Sequence, residues 1–531
     1  MESNMALHYS LLDEKLIRAR RIADGQLNHY SLPWLFVAMQ QDEIRDFPAL
    51  RPHQRHPWHA FLVQLAAMAL HQASSLQPFE TAQEWREALM NLTPDDSDGA
   101  AWCLITPHDR PALMQPPVPG EDVSKWKSRL HAPDELDMLV TSKNHDLKTA
   151  CMTNSNLDDW LMALISLQTQ EGFLGAGNYG ISRMNGGFAS RPALGVVPYG
   201  NWGKRWLRDV NVLLSDREKI VAQNELQKEN GTGLIWLLPW DGAKSLSFSS
   251  LDPFYIEICR KIRLLKDEEN IVAVTTGSKV SRVAAKERNG ITGDPWIPID
   301  VAAEKALTIT AKGFNYKLAV ELLVGKYQQP IAQALTVEDG EQGIIVLAQG
   351  VTRGQGKTEG YHERRIPISP TVRKMMLRRK TDRLAALAEE RVNAISKMRK
   401  VLWSAMATLF DNGATKDCFS DSAKDRANGF ANPFEQEEDA RFFQDLNEEI
   451  ESDDPDKIRL QWLLAMADRA EAILNNAFHA GPRSSEQRYR ARSAALSRFH
   501  GVLRSNKSPF PPLADHYRQL TLKEEPAHGD A

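Results

Sequence analysis

At 531 residues the chain is too long for a single ordinary hydrophobic core and points to two or more domains. Hydrophobic residues at 42% and charged residues at 25% are the balance of a protein that buries a core, and a net charge of -4 excludes a uniformly basic surface while leaving room for local basic clusters. The four cysteines, Cys103, Cys151, Cys259 and Cys418, stand far apart, which argues against a disulfide framework and a cysteine-held metal.

The N-terminal stretch MESNMALHYSLLDEK is acidic in part and has no apolar run of signal-peptide type. Further on, LIWLLPW is far shorter than the roughly 20 residues that a membrane span needs. A reduced, cytoplasmic protein that makes no membrane contact is the expectation.

In chain order, residues 58–74 (WHAFLVQLAAMALHQAS) carry apolar side chains at helical spacing, and residues 157–170 do the same behind a capping Asn156. The runs GLIWLLPW (233–240), NIVAVTTG (270–277), KALTITA (305–311) and GIIVLAQG (343–350) read as strands. Residues 1–370 are thus expected to form a large mixed α/β domain. Beyond Pro370 the β-branched runs vanish. Residues 371–410 read as one long amphipathic pattern, divisible into two helices; 412–432 reads as a loop, and three further helical patterns follow from residue 434. Short polar connections between such helices predict a four-helix bundle over residues 371–531, and the fold class is α+β.

Charge is concentrated in two places. Residues 182–208 hold five basic residues and no acidic one, and residues 351–380 hold nine against two. Such segments are candidates for contact with an anionic polymer.

Several motifs suggest chemistry and fail on spacing. RGQGKT (353–358) resembles a phosphate-binding loop, but the glycine required five residues before Gly356 of Gly356-Lys357-Thr358 falls on Val351, and EGYHERRIPISP reads as turn and strand where a helix is needed. GFLGAGNYGISR (172–183) follows a helix and lacks the dinucleotide fingerprint. Its glycines would let backbone approach a ligand, and Arg183 and Arg191 suggest an anionic one. His53, His56 and His59 recur every third residue with no carboxylate or cysteine nearby to complete a metal site. No catalytic, metal or cofactor site emerges, so an enzyme is not expected.

The segments SLLDEKLIR, SLPWLFVAMQQDEIRDFPALRPHQRHPWHAFLVQLA, GFLGAGNYGISRMNGG, GDPWIPI and AQGVTRGQGKTEGYHERR, in that order, resemble the CasA (Cas8e) family of large subunits of type I-E CRISPR Cascade. The resemblance spans nearly the whole chain. It implies a non-catalytic subunit that reads a protospacer-adjacent motif from the minor groove and opens the duplex so that crRNA can pair. Its partners would be the other Cascade subunits, crRNA, double-stranded target DNA and a helicase-nuclease. Carried over residue by residue, the wedge glutamine is Gln355, between Gly354 and Gly356, with Arg353 and Lys357 beside it. The minor-groove glycine loop is Gly175, Ala176 and Gly177, with Arg183 following. Lys266 matches the lysine finger, and Lys143, Asn144 and Lys148 match a first loop that contacts the motif and the crRNA. Arg364, Arg365, Arg378 and Arg379 are phosphate contacts in this reading, with Arg373, Lys374 and Lys380 in the same basic cluster. Two readings compete with it: a nucleotide hydrolase using GQGKT, and a helical scaffold that binds only protein.

Overall fold

The computed structural model describes residues 7–137, 139, 155–268, 270–339, 343–354, 357–414 and 418–524, with backbone alone at 338, 354, 357–359 and 521–524. It divides into two compact units, residues 1–314 with 326–366, and residues 315–325 with 367–531. The described residues combine twelve helices with seven small sheets of two or three strands.

The first unit is built around α2 (Arg55–Gln72), preceded by α1 (Leu32–Gln40) and followed by α3 (Ala82–Asn91), α4 (Leu157–Gln170) and α5 (Trp202–Asn224). The spacing of residues 58–74 predicts a helix with one wet face; the structure buries α2 all round. Its few polar side chains are provided for internally. Gln64 donates to the carbonyls of Phe254 (3.1 Å) and Tyr255 (2.9 Å), His59 meets Asp209 at 2.8 Å, and His56 packs against the Trp296 ring. His53 sits just ahead of the helix against Asp137 at 2.9 Å, so the three histidines serve the core separately. Eight fully buried tryptophans surround this helix and its neighbours, each removing about 150–250 Å² from water.

Helix α4 begins and ends where the sequence predicts, with an Asn156–Asp159 capping box. GLIWLLPW departs from expectation: only Thr232–Leu234 is strand, followed by one tight helical turn, Ile235–Leu237. Ile235 and Trp236 are both buried and Trp236 donates to the Ala101 carbonyl at 3.1 Å, so consecutive side chains turn inward, which an alternating strand forbids. Of KALTITA only Lys305–Ala306 pairs. By contrast Asn270–Thr276 is a full strand, paired antiparallel with Lys261–Asp267 and flanked by Ser128–Leu130.

The second unit contains α6 (Tyr316–Val324), α7 (Pro370–Leu377), α8 (Asp382–Phe410), α9 (Asp421–Glu451), α10 (Pro455–Ala477), α11 (Ser485–Arg504) and α12 (Pro511–Glu524). Four long helices, α8 to α11, form the bundle. Helix α6 precedes the change of texture at 370 yet belongs here, because the Tyr316 amide donates to Asp439 at 2.7 Å. The loop expected over 412–432 is helical from Asp421 onward. Ser420 caps it by accepting from the Ala423 amide at 3.3 Å, Ala423, Ala427, Ala431 and Phe434 form a buried stripe, and Pro433 sits on the wet face. Inside the bundle Arg391 donates to Glu449 at 2.8 Å and lies over the Trp462 ring at 4.2 Å.

Candidate nucleic-acid interface

Four features predicted from sequence fall in the first unit, and three of them are physically connected. The strands Ile344–Gly354 and Lys357–Ile368 lie side by side in one sheet, with Ala193–Val197 on the far side of the first. Gln355 and Gly356 lie outside the described residues, as do Lys143, Asn144 and Lys148. Lys357 opens a strand of twelve residues, so no helix follows GQGKT.

The base of this strand pair is tied to the glycine loop. Ser190 and Val351 exchange hydrogen bonds: the Ser190 amide donates to the Val351 carbonyl at 2.9 Å, and the Val351 amide to Ser190 Oγ at 2.6 Å. Arg353 donates to Glu171 at 2.9 Å, and Arg260 pairs with the other oxygen of Glu171 at 3.2 Å while donating to the Gly172 carbonyl at 2.9 Å. Glu171 is 2% exposed, so this is one carboxylate buried between two guanidiniums at the root of the loop.

The loop itself is held by its backbone. The Phe173 amide donates to Gly187, Ile181 to Glu171, and Leu174 to Asn178. A side chain on Gly172 would collide with the Ala189 carbonyl, and one on Gly180 would come within 2.6 Å of the Gly172 backbone, so a neck of bare backbone closes the loop. Gly175 (φ 119°) and Gly177 (φ 86°) need the left-handed half of conformational space at the tip. The Ser278 amide donates to the Gly177 carbonyl at 3.0 Å, docking the tip on the end of the Asn270–Thr276 strand.

Lys266 belongs to the neighbouring strand and is exposed. Its partner in register is Ile271, whereas Lys261 pairs with Thr276 beside the docked loop. Five residues of strand put Lys266 roughly 17 Å along the ladder from that point. A nearer cation escaped the sequence reading: Lys279 is exposed, and its carbonyl accepts from the Tyr179 hydroxyl at 2.9 Å, placing it next to the glycine loop. The Gly277-Ser278-Lys279 turn was its only sequence signal.

Three expected anion contacts are corrected. Arg183 is 1% exposed, lies over the Tyr255 ring at 3.9 Å and donates to the Tyr255 carbonyl, so it is part of the core. Arg353 is 6% exposed at its side chain and is spent on Glu171. Arg191, suggested with Arg183, is also buried and donates to Asp294 at 2.8 Å. Arg364 is half-buried and donates to the Phe314 carbonyl at 3.1 Å, whereas Arg365 is exposed. In the second unit Arg378 and Arg379 are exposed, with Arg379 (φ 54°) ending α7 in a left-handed turn.

Beneath the loop lies a buried polar network. Glu257 accepts from the Ser182 amide (2.6 Å) and hydroxyl (2.8 Å), and that hydroxyl also contacts the Tyr255 hydroxyl at 2.9 Å. Burial pushes the Glu257 carboxyl up to about 7, against the opposing pull of these hydrogen bonds and of Arg183.

No protein-family model matches the sequence, and no curated protein is significantly similar to it. Solved structures do match. Thermus thermophilus CasA (Cse1) aligns with a TM-score of 0.63 at 13% identity, covering 93% of this chain and 99% of its own. The fold is that of CasA. Cse1 from Acidimicrobium ferrooxidans, described as a CRISPR-associated protein, gives 0.62 at 14% identity over 97% and 99%. Thermobifida fusca Cse1 gives 0.61 at 12% over 93% and 97%. These matches cover 93% to 97% of the chain, so both units take part in the likeness.

Proposed function

We propose that this chain is the non-catalytic large subunit of a type I-E CRISPR Cascade complex, which reads a protospacer-adjacent motif in duplex DNA, opens the duplex for crRNA pairing and helps recruit the helicase-nuclease. The observation that carries this reading is the anchoring of the Gln355-bearing strand pair to the glycine loop through Arg353 and Glu171. A wedge must hold its shape while it unstacks a base step at a cost of a few kcal/mol, and a buried ion pair at its root resists that load.

In this reading Gln355 enters the duplex and Gly354 and Gly356 keep the backbone slim. Lys357 lies against phosphate, Gly175 to Gly177 lie in the minor groove, and Lys266 reaches the groove from its hairpin. The first loop with Lys143, Asn144 and Lys148 contacts the motif and crRNA. We add Lys279, which its place beside the glycine loop makes a phosphate contact.

The test is Gln355→Ala in the assembled complex. Complex assembly is expected to be unchanged, while permanganate footprinting of the displaced strand at a matched target shows opening reduced at least tenfold at limiting complex. Unchanged opening would sink the assignment.

A further inference from the structure

Along the same three-stranded sheet, a cavity of 330 Å³ opens between that sheet, the Ile44–Asp46 strand and the start of α5. Four arginines, Arg45, Arg55, Arg205 and Arg365, line it against two carboxylates, Asp46 and Glu363. The two carboxylates answer two of them: Asp46 pairs with Arg45 at 3.7 Å while also accepting from Arg20 at 2.8 Å, and Glu363 pairs with Arg365 at 3.6 Å while accepting from the Tyr361 hydroxyl at 2.7 Å.

Arg205 makes the cavity a built site. It is 9% exposed, and its Nε is shut off from solvent without a hydrogen-bond partner. The carboxylate one turn further along α5, Asp209, is committed to His59 (2.8 Å), Arg208 (2.9 Å) and Trp296 (3.3 Å). A buried guanidinium with an unused donor is costly unless something anionic completes it. Arg208 carries its own acid, Asp339, at 2.6 Å, as Arg45 and Arg365 carry Asp46 and Glu363, so the local excess of positive charge falls on Arg205. Burial above all, and then the Arg208 and Arg365 charges, disfavour the charged form of Arg205 against the opposing pull of Asp209. At the same mouth Trp202, half-buried and set edge-on against Phe47 at 5.1 Å, offers an aromatic surface.

We propose that this cavity receives one nucleotide of a single-stranded nucleic acid, its phosphate held by Arg205 and Arg365 and its base laid against Trp202. Forked guanidiniums match phosphate oxygens in pairs, an aromatic face stacks any base, and the volume suits a nucleotide-sized ligand. Arg365 is also a phosphate contact in the resemblance to CasA, but Arg205 and Trp202, which carry this inference, belong neither to the strand ends around Gln355 nor to the glycine loop.

The experiment titrates the full chain with 5′-phosphorylated rA4, with dA4 of the same form and with inorganic phosphate, read by calorimetry and by tryptophan fluorescence. Saturable binding of a tetranucleotide is expected, weakened at least tenfold by Arg205→Gln and about fivefold by Trp202→Leu. Arg365→Gln, on an exposed side chain whose loss spares the fold, is expected to weaken it about fivefold with an unchanged melting temperature. A stronger response to rA4 or to dA4 identifies the strand as RNA or DNA. Tetranucleotide binding that is absent, that matches inorganic phosphate in strength, or that survives both Arg365→Gln and Trp202→Leu would overturn the proposal.

Discussion

The two basic segments of this chain look alike in sequence and behave in opposite ways in three dimensions. In residues 182–208, four of the five basic side chains, Arg183, Arg191, Arg205 and Arg208, are buried, and Lys204 alone is exposed. In residues 351–380, Arg365, Lys374, Arg378, Arg379 and Lys380 face solvent, and Arg353 and Arg373 are the buried minority. The difference lies in the acids each segment finds after folding. Asp294 and Asp339 come to the first from distant sequence, whereas the exposed part of the second meets few acids and keeps its charge for the outside. A run of positive charge in sequence is therefore a statement about supply, and burial of a counterion decides how much of it reaches the surface.

The sharpest way to break this comparison is to treat a buried arginine as if it were a surface one. Arg191→Met leaves Asp294 charged, buried and short of its partner, and the expected loss is about 3 kcal/mol, measured as a lower urea midpoint of the first unit at unchanged slope. A loss below about 0.5 kcal/mol would place Arg191 with the solvated group.

The network under the glycine loop supplies a pH test of similar size. Because the folded carboxyl of Glu257 is raised from 4.5 to about 7, folding favours its protonated form. Its stabilising contribution is complete below pH 4.5 and is lost as pH rises through 7, by on the order of 3 kcal/mol. Glu257→Gln is expected to remove that slope from the difference between variant and parent melting curves; parallel curves at all pH values would contradict it.

A smaller effect is expected at the loop tip. Gly177→Ala forces a side chain into φ 86° with its Cβ 3.4 Å from the Gly277 backbone, and should cost about 1–2 kcal/mol by thermal melting. The smallest belongs to the exposed group. Arg378→Ser should change stability by less than about 0.5 kcal/mol while lowering the salt dependence of duplex DNA binding by about one unit of slope. An unchanged slope would mean that this side chain meets no phosphate.

Local chemistry was legible in the sequence where it was self-contained. Asn156 and Asp159 announce α4, the apolar stripes announce the bundle, and the odd register of RGQGKT excludes a phosphate loop before any coordinates are seen. Legibility stopped where partners are remote. Nothing near Arg183 says that Tyr255 will cover it, and nothing near Arg353 says that Glu171, 182 residues away, will take its charge. The early start of α9 was hidden for a different reason: Gly429, Asn432 and Pro433 read as loop chemistry, and only packing of the alanine stripe overrides them. Lys279 shows the same limit, since its importance comes from a loop a hundred residues earlier folding onto it.

The neck of the glycine loop has a consequence for how the protein can change over time. Gly172 and Gly180 are locked because backbone touches backbone there, but Gly175, Gly186 and Gly187 have nothing within 4 Å of where a side chain would begin. Backbone angle still holds Gly175 (φ 119°) and Gly187 (φ 84°), so the position open to drift is Gly186. Gly186, at φ 57°, can accept asparagine with little strain, so a lineage could try new hydrogen-bonding groups toward whatever the loop meets without disturbing its attachment. A rigid stem with one editable position beside it lets recognition diverge while the architecture stands still, and Gly186 is the natural place to substitute when a different preference is sought.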